Sequence, residues 1–391
     1  MEIELWWLLA LPLFFGLGWA AARVDIRHLV SESKALPRSY FKGLNFLLNE
    51  QPDKAIDAFI EVVSVDPETI ELHFALGNLF RRRGEIERAI RMHTSLVSRT
   101  DLNEEQRLHA LYELGQDYLK SGLLDRAEDA LTKLAGTSYG SRAEVFLLEI
   151  FQLEKDWEKA VAVATRIEAE TGISKQKEIA QFHCEHAVSL MAQSKPEEAR
   201  AQAEAALKAN RKAVRAQMIL GDIAAQAGRH EEAIEAWQRV ESQDPMYLSL
   251  VATKLIESYT KVGRQKECLT LLRGYLERYP SLDLLDVAFQ LCLELEGMDA
   301  AYKLVRDELR RSPTLLGLDR LLEARVMMEP PERQADLQLV KNLIHRHTHR
   351  VARYACENCG FKARQFFWRC PGCGGWETYP PRRAEEFDLS P

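Results

Sequence analysis

A pattern of small, aromatic and turn-forming residues recurs about every 34 residues from Tyr40 to Pro313, and it restricts the chain to a stack of helical hairpins. One copy reads Leu76-Gly77, Phe80, Gly84, Ala89, the next Leu114-Gly115, Tyr118, Gly122, Ala127. A third reads Leu220-Gly221, Ala224, Gly228, Ala233, Trp237, Pro245, and the first of all Gly43, Phe46, Ala55, Phe59, Pro67. Weaker copies follow as Tyr259, Gly263, Cys268, Leu272, Pro280 and as Ala301, Val305, Pro313. A small residue in each helix lets the two backbones of a hairpin approach, and the aromatic fills the groove beside them. The intervening Gly takes the turn and the Pro stops the second helix. One hairpin cannot bury both faces, so neighbours must stack. The segments Phe151–Ala160 and Leu190–Ala199 lack the Gly markers, and Thr171–Lys177 reads as a lengthened connection. Eight repeats are recognisable, with room for a degenerate ninth after Pro313.

The period and its markers resemble those of tetratricopeptide repeats, a large family whose concave face binds peptides or protein segments. By that resemblance the groove-lining slots on first helices include Asn78, Arg81, Arg82, Gln116, Lys120, Asp222 and Gln226. From the residues alone these read equally as the solvated face of each helix. Composition agrees with a helix-rich folded chain: of 391 residues, 46% are apolar and 28% charged, with 20 Gly and 14 Pro. A net charge of -7 gives no global attraction to nucleic acid, and no nucleic-acid partner is expected.

Leu5 to Ala22 carries no charge and, as a helix, spans about 27 Å, enough to cross a hydrocarbon core. Trp6, Trp7 and Trp19 sit near its ends, where indoles favour the membrane–water interface. Glu2 and Glu4 precede the run, while Arg23, Arg27, Lys34 and Arg38 follow it, so the positive-inside bias places the remainder in the cytoplasm. A cleaved signal peptide would need a basic start, and this one is acidic.

Near the other end, Cys356 and Cys359, with Cys370 and Cys373, form two C-x2-C knuckles, each followed by a Gly that permits the tight turn. Four thiolates at this spacing suit one tetrahedral metal ion, iron or zinc, far better than two disulfides. Cys184, Cys268 and Cys292 fall singly in helical stretches and read as small buried thiols, in keeping with a reducing compartment. Pro330-Pro331 breaks the chain before a helical stretch that leads to the knuckles. From Leu337 to Cys356 there is no acidic residue, whereas Lys341, Arg346, Arg350 and Arg353 all occur. That pattern reads as a basic helix beside an anionic membrane or partner. His345 and His349, four apart, form a second candidate metal pair. Tyr354, Phe361, Phe366, Phe367, Trp368 and Trp376 give the small module aromatic area, yet it is too small to fold on its own core without metal or packing on the array.

The expected fold class is therefore all-α: a tetratricopeptide-repeat solenoid with an N-terminal transmembrane helix and a small C-terminal rubredoxin-like or zinc-ribbon module. The expected divisions are an anchor at 1–22, a basic linker at 23–38, the array at 39–329, a connecting helix at 330–353, the metal module at 354–380 and a tail at 381–391. Cys370-Pro371-Gly372-Cys373-Gly374 resembles a rubredoxin knuckle, but only ten residues separate the two knuckles, fewer than in an electron-carrying rubredoxin. The shortening favours a structural, zinc-ribbon-like role.

Anchor, repeats and the terminal CENCGF…CPGC pair, in this order over the full length, resemble the LapB (YciM) family of Gram-negative bacteria. The resemblance implies an inner-membrane adaptor facing the cytoplasm that promotes degradation of the lipid A deacetylase LpxC by the membrane protease FtsH. Other lipopolysaccharide assembly or signalling proteins would be further partners. It also implies that Cys356, Cys359, Cys370 and Cys373 are the metal ligands. The chain contains no phosphate-binding loop, no G-x-S-x-G and no H-E-x-x-H, and nothing in it proposes a nucleophile or base. A non-enzymatic adaptor is the expectation. The alternatives are electron transfer through a rubredoxin-like iron, and a nucleic-acid-binding ribbon carried on a scaffold.

Overall fold

In the computed structural model the described residues are 38–49, 51–65, 70–351 and 353–384. The expected anchor at 1–22, the linker up to residue 37 and the tail from 385 lie outside them. Among the described residues no helix is long and apolar enough to cross a membrane. The chain divides into two compact units, Met1–Ile150 and Phe151–Pro391.

In the first unit α1 (Arg38–Leu48) pairs with α2 (Pro52–Val65), α3 (Ile70–Arg82) with α4 (Ile86–Ser98), and α5 (Glu104–Lys120) with α6 (Leu124–Thr132). The helix α7 (Gly140–Glu154) follows. First helices of successive repeats also touch, α3 against α5, which is how stacked hairpins bury their outer faces. Within each hairpin the small residue admits the partner helix. Gly43 faces Phe59, Gly77 faces His93 and Gly115 faces Leu131, where a Cβ on Gly115 would come within 2.7 Å of the leucine. The sequence pattern held Phe59 among its markers but not His93 or Leu131, which take the same place opposite a glycine.

The second unit begins with α8 (Trp157–Thr171) and continues through the hairpins α9 (Gln176–Ala192)/α10 (Pro196–Ala209) and α11 (Val214–Gln226)/α12 (His230–Gln243). A single 3-10 turn at Pro245–Tyr247 leads into α13 (Leu248–Lys261)/α14 (Gln265–Arg278), then α15 (Leu282–Glu296)/α16 (Met298–Arg311) and α17 (Leu315–Met328)/α18 (Pro331–Val351). Gly221 opposes Trp237 at the same offset as the pairs of the first unit, and the indole N–H donates to Met218 O at 3.2 Å. Around α9 and α10 the core is built largely of alanine, including Ala180, Ala187, Ala199, Ala203 and Ala206. Further on it turns to bulky residues such as Tyr275, Leu272 and Phe289.

The turns explain why two repeats lacked their markers. Gly84, Gly122, Gly228 and Gly263 all adopt positive φ between the helices of a hairpin. Lys155 and Ser194 take that left-handed position at φ 60° and 61°. Each costs about 1 kcal/mol relative to Gly and persists because the flanking helices fix it. The residues read as a lengthened connection at Thr171–Lys177 partly extend α8, which runs to Thr171 and ends at Gly172 in the left-handed conformation. The stretch after Pro330 forms α18, which packs on α17 as the second helix of a last hairpin, in the place left for a degenerate ninth repeat after Pro313.

That module holds a three-stranded antiparallel sheet of order β2-β1-β3, with β1 at Arg353–Ala355, β2 at Lys362–Ala363 and β3 at Arg383–Ala384. Tyr354 pairs with Ala363, and Arg353 with Ala384. Tyr379, fully buried, ties the two sides by donating to Tyr354 O at 3.0 Å.

Candidate metal centre and the surface that holds it

The two knuckles repeat one backbone design. Cys356 N–H donates to Phe361 O and Gly360 N–H to Cys356 O; likewise Cys370 N–H donates to Gly375 O and Gly374 N–H to Cys370 O. Gly360 and Gly374 take φ of 72° and 69°, a conformation that side chains resist. This geometry turns all four sulfurs inward, so that every pair lies within 4.8 Å.

The separations test what the sulfurs can hold. Cys356 Sγ and Cys373 Sγ are 3.8 Å apart, and Cys359 Sγ and Cys370 Sγ 3.7 Å. A disulfide requires about 2.05 Å. A tetrahedron with metal–sulfur bonds of about 2.3 Å has edges of about 3.8 Å, so the donor set fits one metal ion. Cys356 and Cys370 are buried, whereas Cys359 and Cys373 lie at the exposed edge.

Electrostatics favour a bound cation. Burial opposes ionisation of Cys356, but the Thr378 hydroxyl and the backbone N–H groups of Cys359 and Asn358 hold its pKa down, to about 6. The Gly375 N–H and the Asn358 amide hold Cys373 below its usual range too. Cys359 receives the Phe361 N–H, yet desolvation and the neighbouring sulfurs push it up to about 12. Four crowded sulfurs cannot all be thiolates without a central positive charge. Among the described residues this is the cluster suited to metal. His345 is engaged elsewhere, its Nδ1 2.8 Å from Asp319 Oδ2, and the side chain of His349 lies outside the described set.

The module is seated on the second unit along the starts of four successive first helices. Gln181 of α9 donates to Glu377 Oε1 at 2.7 Å, and the Arg215 guanidinium of α11 lies 5.5 Å from the centre of the Trp368 ring. Ser249 of α13 donates to Pro381 O at 3.5 Å, and the Tyr354 hydroxyl donates to Asp283 of α15 at 3.2 Å. Trp368 stacks on Tyr247 at 5.2 Å with the planes 3° apart, and Trp376 meets Phe182 edge-on at 6.0 Å. Sequence reasoning missed this row. Its residues share no chemical type, and only their spacing of one repeat could have suggested it.

The expected groove residues divide into engaged and exposed. Arg81 is partly exposed and bridges two repeats, 2.8 Å from Asp117 and 2.5 Å from Glu113, with Asn78 accepting from it at 2.5 Å. Asp117 is fully buried and also pairs with buried His93 at 2.5 Å. Burial works against ionisation of Glu113, but His109 and Arg81 overcome it and hold its pKa below the ordinary value. Asp222 is likewise bound to the next repeat, 2.7 Å from Lys254. Arg82, Lys120 and Gln226 are exposed and Gln116 partly so. Also missed in the first unit was an aromatic strip. Phe74 stacks on His109 at 4.2 Å, His109 on Tyr139 at 5.5 Å, and Tyr112 meets Phe146 at 5.8 Å.

Helical repeats that cradle a four-cysteine, rubredoxin-like module define the class of protein. Family comparison agrees: residues 72–108 and 184–245 match tetratricopeptide repeats, and residues 354–381 match a rubredoxin metal binding domain. The chain is 34% identical to lipopolysaccharide assembly protein B of Escherichia coli K12 over 98% of its own length and 99% of that protein's. It is 30% identical to the protein of the same name from Haemophilus influenzae Rd, again over 98% and 99% of the two chains. The chain belongs to the lipopolysaccharide assembly protein B family.

Proposed function

We propose that this protein is a non-enzymatic adaptor, tethered to the inner membrane by residues 1–22, that limits lipopolysaccharide synthesis by bringing LpxC to the protease FtsH. The observation that carries the reading is the end-to-end correspondence with lipopolysaccharide assembly protein B, in which repeats and metal module keep their order. The anchor holds the array in the plane of the bilayer, and the array captures client or protease, so proximity raises their effective concentration. The first unit offers the partly exposed His109, Tyr112 and Phe146 for that capture and, toward the C-terminal ends of α3 and α5, Arg82, Gln116 and Lys120. In the second unit the equivalent helix starts hold the metal module.

The module's metal, zinc or iron on Cys356, Cys359, Cys370 and Cys373, acts as a cross-link that keeps Trp368 and Trp376 pinned to the array. Electron transfer is not favoured, because the knuckles build a rigid seat and the family relation is to assembly proteins.

The test is a pulse-chase of LpxC in cells with and without the protein. Depletion is expected to lengthen the deacetylase's lifetime and raise lipopolysaccharide without altering the enzyme's turnover. An unchanged lifetime rejects the degradation role. Deleting residues 1–22 should abolish the effect while leaving a folded array.

A further inference from the structure

The last helix of the array breaks a rule that stacked repeats obey. A terminal helix has no neighbour on its outer side and ordinarily carries a polar face there. In α18 the inner face is tied to α17 by Lys341 with Glu323 at 3.7 Å and by His345 with Asp319 at 2.8 Å. Its outer face carries Leu339 at 61% exposure, Val340 at 45% and Leu343 at 60%. These fall one helical turn apart and form one stripe, with exposed Arg346 continuing it. At the end of α17, Met327 and Met328 are exposed as well.

The charge around this stripe selects its occupant. Lys341 and His345 are held by carboxylates of α17, but no carboxylate occurs from Leu337 to Cys356, where exposed Arg346 continues the stripe and Arg350 and Arg353 follow; exposed Glu332 and Asp336 stand at the opposite, N-terminal end of the helix. A basic helix with exposed leucines suits the headgroup region of an anionic bilayer, where the apolar side chains enter the acyl boundary and the cations meet lipid phosphates. We propose that the outer face of α18 is a lipid-contacting surface that rests on anionic phospholipid, a second membrane contact besides the N-terminal run. The inference rests on the reading of the protein as membrane-tethered. It adds that the end of the array nearest the metal module is held at the bilayer too.

The test places the full-length protein in nanodiscs of phosphatidylcholine alone or of phosphatidylcholine mixed with phosphatidylglycerol, and follows amide exchange across residues 331–351. Incorporation into both kinds of disc reports the N-terminal anchor. Slower exchange of α18 in the anionic discs alone reports the surface proposed here, so the two readings fail separately. Protection should grow about fivefold for each basic residue engaged and disappear at high salt. Leu339→Gln with Leu343→Gln, both at exposed positions, should remove it without changing thermal unfolding, and Arg346→Gln should weaken it about fivefold. A photo-crosslinking residue at position 343 should label lipid acyl chains. Equal exchange in both discs, or labelling of a protein in place of lipid in native membranes, overturns the proposal.

Discussion

Replacing Arg81 by Glu should destabilise the first unit severely, although the residue sits where a peptide-binding groove is expected. The guanidinium lies between Asp117, whose side chain is fully buried, and Glu113, whose side chain is 9% exposed, while Arg81 itself is 15% exposed. Removing one member of a buried pair costs about 3–5 kcal/mol, because the other charge is left without compensation. His93 still faces Asp117, so Arg81→Ala belongs at the lower end, about 3 kcal/mol. Reversing the charge adds repulsion among three carboxylates, about 1–2 kcal/mol more after solvent screening at the groove edge. Arg82 is the control: it is exposed, and Arg82→Glu should stay within about 0.5 kcal/mol. Urea unfolding reads the difference, with a midpoint drop of at least about 1 M for the Arg81 variant. Amide exchange should speed up in α3 to α6 while α11 to α16 keep their protection, since stacked repeats lose stability locally. A double-mutant cycle with Asp117→Asn should give a coupling of about 1–3 kcal/mol. Equal midpoints for the Arg81 and Arg82 variants would refute the bridging role and return Arg81 to the binding surface.

Gly221→Ala should cost about 1–3 kcal/mol, seen as a lower urea midpoint, because the added methyl overlaps the buried Trp237 ring. The double change Cys356→Ser, Cys359→Ser should abolish metal binding and shift tryptophan emission as Trp368 and Trp376 leave the array, with the far-ultraviolet helix signal largely kept. Desolvation raises the Glu377 carboxyl above its ordinary 4.5 despite the hydrogen bond from Gln181, so the docked state holds a proton longer than the unfolded one. The contribution of Glu377 to seating is therefore full below 4.5 and is lost as pH climbs through the raised value, opposite in sign to that of the metal-binding thiolates; Glu377→Gln should remove that one component from a thermal-unfolding series against pH. Glu113 has the opposite sign: its lowered pKa stabilises the α3–α5 contact above 4.5 and that contribution is lost as pH falls through the folded value, which amide exchange of α3 in acid will show.

What the sequence made legible was whatever a short stretch of chain decides by itself. Two residues between cysteines and a Gly after them dictate a knuckle, so the four sulfurs could be paired without knowing the fold. The small residue of a first helix and the bulky one of the second lie on one hairpin, so Gly221 announced its contact with Trp237. Lys155 and Ser194 hid two turns because flanking helices can hold an ordinary residue in a left-handed conformation at modest cost. The groove was illegible for a different reason. Whether Arg81 greets a ligand or a neighbouring helix depends on Asp117, in the next repeat, and only stacking brings the two together.

The same reasoning explains the seat of the metal module. Gln181, Arg215, Ser249 and Asp283 differ in chemistry, yet each lies in the N-terminal half of a first helix, one repeat from the next, and each meets one part of the module. A solenoid presents one slot over and over, and a compact ligand spanning several repeats can take a different interaction from each. Such seating needs the module to be rigid over the length of four repeats, because a flexible chain would lose in ordering entropy much of what four weak contacts supply. Two knuckles whose four sulfurs fit one metal ion would, once loaded, meet that requirement in fewer than thirty residues. Metal-bound cysteines would thus act on the array through stiffness, holding Trp368, Trp376 and Glu377 at fixed spacing so that Tyr247, Phe182 and Gln181 are engaged together.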